Sequence, residues 1–233
     1  KLDYNGKAMA AINKKAIEMM VELREAYRQD VPAIVISGCI GPRGDGYKAE
    51  NRMTPEEAEA YHTAQMEVFS QTEVDMATAL TMNYVEEAIG ITRAAHTFGL
   101  PVVISFTVET NGKLPSGTGL QEAIETVDES VVTKPIYYMI NCAHPTHFYE
   151  ELEKGKQQAW VQRIKGIRSN ASCKSHAELD ESTALDRGNP VELATANQKL
   201  KQTLPHLNVF GGCCGTDAEH IHTLASQFSA AHV

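Results

Sequence analysis

The chain has 233 residues, of which 42% are hydrophobic and 22% charged, which is enough to bury the core of one α/β domain. Its net charge of −9 repels phosphate backbones, so we expect no nucleic-acid partner. No apolar run approaches the roughly 20 residues that span a bilayer, and residues 1–20 lack a signal-peptide core; we expect a cytoplasmic protein without a membrane partner.

Strand-like apolar runs alternate with helical segments along the chain. Thr54 followed by Pro55 predicts a capped helix start. Helices are predicted at 9–28, from 54, at 85–98, at 119–127, from 146, at 190–202 and at 217–230. Strands are predicted at 33–38, 74–81, 101–108, 135–142, 164–170 and 208–214. This order gives six βα units and therefore predicts a parallel sheet.

Six βα units fit either an open doubly wound sheet or part of an eight-stranded barrel. Reactive residues follow the C-terminal ends of several strands, where barrel enzymes place their chemistry, and no Gly-rich phosphate loop follows an early strand. We therefore predict an α/β fold of the (β/α)8 TIM-barrel type, with residues 1–233 as a single domain. Because no strand is predicted before residue 33, we expect the first one or two strands to be absent from this sequence. The unpaired strand edges would favour a homo-oligomer.

The cysteines carry the sharpest chemical signal. There are five of them, an odd number that does not suggest a disulfide framework. Cys213 and Cys214 are adjacent and bracketed by glycines at a predicted strand end. Adjacent side chains of a regular strand point to opposite faces, so both thiols can meet one metal only if the backbone leaves strand geometry, which the glycines permit. The alternatives are two buried thiols or, least favoured, a vicinal disulfide.

Cys142 is the third candidate metal ligand, because it also ends a predicted strand. In a barrel the C-terminal strand ends converge, so Cys142 can meet the Cys213–Cys214 pair, and three thiolates with one open position are typical of catalytic zinc. His144 and His147 compete for a ligand role, but we favour loop packing for both. The two remaining cysteines, Cys39 and Cys173, are predicted not to be ligands.

The sequence resembles the homocysteine S-methyltransferase family. The resemblance depends on Asn141-Cys142 and on the Gly-Gly-Cys-Cys-Gly-Thr motif at 211–216, and strand patterns at 36–42, 103–108 and 117–120 support it. It implies a (β/α)8 barrel, a zinc ion held by Cys142, Cys213 and Cys214, and homocysteine bound through its sulfur.

Two departures from the family pattern concern the substrate. The Asp-Gly-Gly segment of the first strand has no match, and the family's Glu-Thr at the end of the fourth strand is Leu80-Thr81 here. A leucine cannot pair with an ammonium group. Asn141, Glu109 and Thr81 are therefore the candidate substrate-binding residues, with Glu109 as a substitute for the missing glutamate.

The resulting prediction is a Zn2+-dependent enzyme that transfers a methyl group from an onium-type donor to homocysteine, forming methionine. Its partners would be a small-molecule thiol and the methyl donor. A cationic donor favours aromatic contacts, for which the candidates are Tyr47, Tyr84, Tyr137 and Tyr138, although core packing is the commoner role of tyrosine. The alternatives are the same chemistry on a different thiol, or a non-catalytic zinc- or thiol-binding barrel.

Overall fold

Six parallel strands form one sheet in the computed structural model, which describes residues 6–230. The strands are β1 (Ser37–Ile40), β2 (Met76–Met82), β3 (Val102–Phe106), β4 (Tyr137–Ala143), β5 (Ile164–Ser169) and β6 (Val209–Gly212). Each strand pairs in parallel with the next one in sequence, in the order β1-β2-β3-β4-β5-β6. All six carboxyl ends therefore lie along one rim of the sheet, as the alternation of strands and helices predicts.

Helices follow the strands as the βα pattern requires. They are α1 (Gly6–Ala26), α2 (Pro55–Ser70), α3 (Val85–Thr97), α4 (Leu120–Ser130), α5 (Tyr149–Lys154), α6 (Ala159–Gln162), α7 (His176–Asp180), α8 (Pro190–Thr203) and α9 (Ala218–Ala230), with a 3-10 turn at Pro145–His147. Thr54 caps α2 in a capping box with Glu57, which confirms the predicted start. None of the helices in residues 6–230 has the length and hydrophobicity that crossing a bilayer requires.

The first strand lies later in the chain than the apolar run at 33–38 predicts, since β1 begins only at Ser37. The Asp75 carboxylate accepts a hydrogen bond from the Ile36 amide at 2.7 Å, so this amide bonds a side chain instead of a backbone carbonyl of the neighbouring strand. Val35 is 62% exposed and lies in the loop that precedes β1. Asp75 also pairs with Arg24 of α1, so it joins α1 to the amino-terminal end of β2.

Two other features differ from the predicted elements. The helix α7, in which Ser175 and Glu178 form a capping box, has no counterpart among the predicted helices. The last strand, predicted to continue to Cys214, ends at Gly212. The bounds of the other strands differ from the predictions by at most a few residues.

The sheet curls into a half-barrel with its helices outside. Ile104, Phe106 and Ile140 belong to the buried core between the sheet and the helices. The residues that line the inside of the curl form an open trough of about 550 Å3. Met76, Met139 and Leu80 lie along this trough, so its floor is largely apolar.

Helices α2 and α3 pack together at a glycine. A Cβ at Gly90 would lie 2.5 Å from the Glu59 nitrogen and 2.6 Å from the Pro55 carbonyl oxygen. Since these are backbone atoms, they cannot move without shifting α2. We expect Gly90→Ala to lower the free energy of unfolding by about 2 kcal/mol, as overpacking does, when measured by urea denaturation. Gly6→Ala meets no atom within 4 Å and should leave the value unchanged; equal losses in both variants would contradict this account.

Candidate metal centre

Three cysteine sulfurs meet at the C-terminal rim of the sheet. Cys142 lies near the end of β4 with a φ of 53°, a left-handed conformation that interrupts the regular alternation of side chains. Cys213 and Cys214 directly follow β6, and the turn they form is closed by Gly215 at a φ of 78°. The departure from strand geometry expected at Cys213 and Cys214 is therefore present, and Cys142 shows a second one that the sequence does not predict.

The sulfur spacing fits a metal-binding site. The ligand atoms of Cys142, Cys213 and Cys214 all lie within 4.8 Å of one another, and they are the one group of potential metal ligands found among residues 6–230. The Sγ atoms of Cys142 and Cys214 are 3.8 Å apart. Zinc–sulfur bonds of about 2.3 Å in a tetrahedral site place neighbouring sulfurs about 3.8 Å apart, so Cys142 and Cys214 have the separation of two zinc ligands, whereas the sulfur of Cys213 is bonded to that of Cys142.

The structure joins Cys142 to Cys213 as a disulfide, whereas the sequence analysis favoured three reduced thiols. Cys214 is a free thiol, so the least favoured alternative, a vicinal Cys213–Cys214 disulfide, is not formed. A disulfide and a metal site both require the two strand ends to lie together. Reduction must precede metal binding, because the thiolate is the ligand.

Asn141 fixes the geometry around the sulfurs. Its Oδ1 accepts hydrogen bonds from the Thr81 amide at 2.8 Å and from the Ser105 hydroxyl at 2.6 Å. Its Nδ2 donates to Thr81 Oγ1 at 2.8 Å and lies 3.9 Å from Cys213 Sγ. One buried amide therefore links β2, β3 and β4 and directs an N–H group toward a sulfur.

Asn170 was missed by the sequence analysis, which placed it only at the end of a weak strand. Its Oδ1 accepts from the Cys214 amide at 3.1 Å, and its Nδ2 donates to the Cys142 carbonyl at 3.0 Å. The side chain is 2% exposed. It thus holds the backbones of two candidate ligands from the intervening strand β5. The available signal was an asparagine at a strand end between the two cysteine strands.

A long connection from the opposite edge of the sheet reaches the same sulfurs. Residues 41–53, here called the mouth segment, follow β1 and carry Tyr47 to within 3.5 Å of Cys214 Sγ. Burial, with Cys214 and Asp45 nearby, raises the pKa of Tyr47 far above its ordinary value, so the phenol keeps its proton and can donate to the sulfur. The Tyr47 ring stacks on His176 with centroids 4.2 Å apart.

The predicted substrate residues lie at different places on the rim. Thr81, at a φ of 62°, is beside the cysteines, with its Oγ1 3.9 Å from Cys142 Sγ. Such a φ is unusual for a β-branched residue, and the Asn141 amide stabilises it. Glu109 is half-buried near His176. Leu80 lines the apolar trough.

The competing ligands lie outside the sulfur cluster. His144 caps the 3-10 turn and contacts Thr146, while His147 bonds the Cys173 carbonyl at 2.8 Å. Cys39 and Cys173 are free and exposed. None of the four side chains belongs to the sulfur cluster, and the loop-packing and non-ligand roles remain predictions.

By its fold, the protein is a parallel α/β half-barrel, and its distinguishing feature is a cluster of three cysteines at the C-terminal rim of the sheet. The family model described as homocysteine S-methyltransferase matches residues 1–228, and the chain belongs to this family, which makes it a methyltransferase.

Solved structures show the same fold. The metallated form of the homocysteine methyltransferase MmuM from Escherichia coli matches with a TM-score of 0.75 and 17% identity, over 96% of this chain and 73% of that one. Its oxidized form matches with a TM-score of 0.75 and 18% identity, over the same shares, 96% and 73%. A search of curated proteins found no significant sequence match.

Proposed function

We propose that the protein is a zinc-dependent S-methyltransferase that methylates the sulfur of homocysteine to form methionine. The observation that carries this proposal is the convergence of three cysteine sulfurs within 4.8 Å at the rim of the sheet. Family membership supports the acceptor, and the metallated form among the similar structures supports a bound metal.

The residues around the sulfurs have defined tasks in this proposal. Cys142, Cys213 and Cys214, as thiolates, hold the zinc ion, which when bound would lower the pKa of a coordinated substrate thiol. Asn141 and Tyr47 direct N–H and O–H groups toward two of the sulfurs and so stabilise their negative charge. Asn170 fixes the two backbones that carry the cysteines.

The transfer itself needs no covalent enzyme intermediate. The acceptor sulfur, having lost its proton, forms a bond to the methyl carbon of the donor. The bond between that carbon and the positively charged heteroatom breaks, and its electron pair stays with the leaving group. The heteroatom of the donor therefore loses its positive charge as the demethylated donor leaves, and positioning of the two substrates contributes to the rate.

A cavity of about 240 Å3 beside Cys214 suits the onium-type donor. Its walls include the aromatic rings of Tyr47 and His176 and the side chain of Leu179, and Asp180 and Asp186 line it as well. Aromatic faces and carboxylates both attract a cation. Because Cys214 belongs to the wall, a donor bound in this cavity would lie next to an acceptor sulfur at the proposed zinc site.

A second candidate function is methylation of a different small thiol by the same chemistry. Leu80 favours it, since this leucine lies in the trough where the family pattern has a glutamate for the substrate's amino group. Glu109, near His176, remains our proposal for a substitute carboxylate, together with Thr81 and Asn141 as substrate contacts.

For the fold, we propose that the half-barrel is part of a single-domain (β/α)8 barrel, completed by strands between β1 and β6.

Zinc content and methyl transfer test the proposed function together. Protein purified under reducing conditions and reconstituted with zinc should hold about one zinc per chain. It should then methylate homocysteine with a sulfonium or ammonium donor. 3-Aminopropane-1-thiol, which is homocysteine without the carboxylate, and 4-mercaptobutyrate, which is homocysteine without the amino group, serve as matched acceptors. Preference for an acceptor other than homocysteine would support the second candidate. Zinc binding without transfer from any donor would contradict both, and absence of zinc would overturn the metal centre.

A further inference from the structure

A buried hydrogen bond between a histidine and a glutamate joins α2 to α3 beneath the mouth segment. His62 Nε2 lies 2.8 Å from Glu87 Oε1, and the two side chains are 2% and 0% exposed. Among the residues that the structure describes, Glu87 Oε2 has no hydrogen-bond partner. A buried carboxylate with an unpaired oxygen is costly to the fold, and apolar side chains of the same volume would pack the two helices equally well.

The same carboxylate holds the start of the mouth segment. Glu87 Oε1 accepts the Arg43 amide at 2.7 Å. The end of the segment is held one helical turn away, where the Tyr84 hydroxyl accepts the Met53 amide at 3.3 Å. Burial, and to a smaller extent Glu87, raise the pKa of Tyr84 to about 12. The start of α3 thus fixes both ends of the connection that carries Tyr47.

Between these ends the mouth segment follows the rim. Asn83 Nδ2 donates to the Asp45 carbonyl at 2.8 Å, and the Asp45 carboxylate accepts the Tyr47 amide at 2.8 Å. Tyr47 then reaches Cys214, which follows the strand at the other edge of the sheet. Hydrogen bonds therefore hold Asp45 and Tyr47 along the rim, and the short stretch of backbone from Arg43 joins them to the contact with Glu87.

We propose that Glu87 and His62 are positioning residues, which hold the mouth segment across the rim so that Tyr47 donates its hydrogen bond to Cys214; this role rests on the proposed function. Glu87 supplies the acceptor for Arg43, and His62 fixes the orientation of that acceptor. Neither residue touches the cysteines. Their effect on methyl transfer passes through Tyr47.

Hydrogen exchange of the reduced, metal-free protein tests the positioning directly. Glu87→Leu removes the acceptor, and amides in residues 41–53 should lose protection by at least about 10-fold while those of β4 keep theirs. Glu87→Gln retains a carbonyl oxygen for Arg43 and should exchange like the parent protein. Asp128→Leu is the matched control. It breaks a partly buried carboxylate pair with Arg163 that has no contact with the mouth segment, so residues 41–53 should stay protected.

Kinetics then test the route through Tyr47. Glu87→Leu and Tyr47→Phe should each lower kcat/KM by about 10-fold or more, as loss of outer contacts around a metal does. The kcat/KM of the double variant should lie within about 2-fold of that of the slower single variant, because both changes remove the same interaction. Release of zinc to a chelator should be faster in Glu87→Leu than in Asp128→Leu.

The outcomes separate this role from the proposed function. The positioning role would be overturned if exchange at 41–53 were unchanged in Glu87→Leu, or if β4 lost protection equally. Additive losses of kcat/KM in the double variant would overturn it as well. Absence of zinc or of methyl transfer would overturn the proposed function but leaves the exchange result intact. Should Glu87→Leu fail to fold, His62→Phe removes the hydrogen bond to Glu87 and should deprotect 41–53 to a smaller extent.

Discussion

Replacing Cys214 by serine should remove the bound zinc and lower methyl transfer by more than about 1,000-fold, since even contacts outside the ligand set are worth 10- to 100-fold. Cys214 is a free thiol 3.8 Å from Cys142 Sγ, so the change leaves the Cys142–Cys213 pair intact. A neutral hydroxyl is a poor replacement for a thiolate at zinc. Metal analysis of the reconstituted variant and a methionine-formation assay measure the two effects.

The matched control is Cys173→Ser, because Cys173 is also a free, exposed thiol but lies outside the sulfur cluster. It should retain about one zinc per chain and full activity. A Cys214→Ser variant that keeps its zinc would show that the cluster is not the metal centre. Equal losses in both variants would point instead to a general requirement for free thiols.

Asn141→Asp should weaken zinc binding by about 10- to 100-fold, the usual effect of an altered contact around a metal ligand. The new carboxylate would place an acceptor where Nδ2 now faces Thr81 Oγ1 and Cys213 Sγ. Its negative charge would also lie beside the thiolates. Because the side chain is 2% exposed, we expect a loss of about 3 kcal/mol in the free energy of unfolding as well.

Asn197→Asp separates these two effects. Asn197 is an equally buried amide on α8 that accepts from Ser169 and donates to the Leu193 carbonyl. The same substitution there should cost similar stability but leave zinc affinity within about 3-fold. Competition with a chelator measures affinity, and urea denaturation measures stability. If both variants lose zinc equally, Asn141 has no specific role at the metal centre.

Periodicity predicts the order of the strands well in this chain, because each buried run carries its own apolar signal. Strand ends are less predictable, since they depend on single competing hydrogen bonds. The Asp75 carboxylate accepts a hydrogen bond from the Ile36 amide, and β1 therefore begins only at Ser37. Cys213 leaves β6 because its carbonyl accepts the Thr216 hydroxyl in a tight turn.

The same distinction applies to the metal centre. Cys142, Cys213 and Cys214 are recognisable because cysteines at parallel strand ends can converge, whatever the intervening chain does. Tyr47 was only one of several tyrosines that could contact a donor, since its approach to Cys214 depends on the course of a long connection. Asn170 is marked only by its place at a strand end and Glu87 by no local pattern, because the partners of both lie far away in sequence.

The link between β4 and β6 also matters for the unfolded chain. Cys142 and Cys213 are 71 positions apart, and any bond between them, whether a disulfide or a shared metal ion, closes the same loop. Closing a loop of this size removes chain entropy equivalent to about 4 kcal/mol at 25 °C. The metal centre would therefore crosslink the last βα unit to β4. Removal of the metal from the reduced protein would allow that unit to unfold before the rest of the sheet.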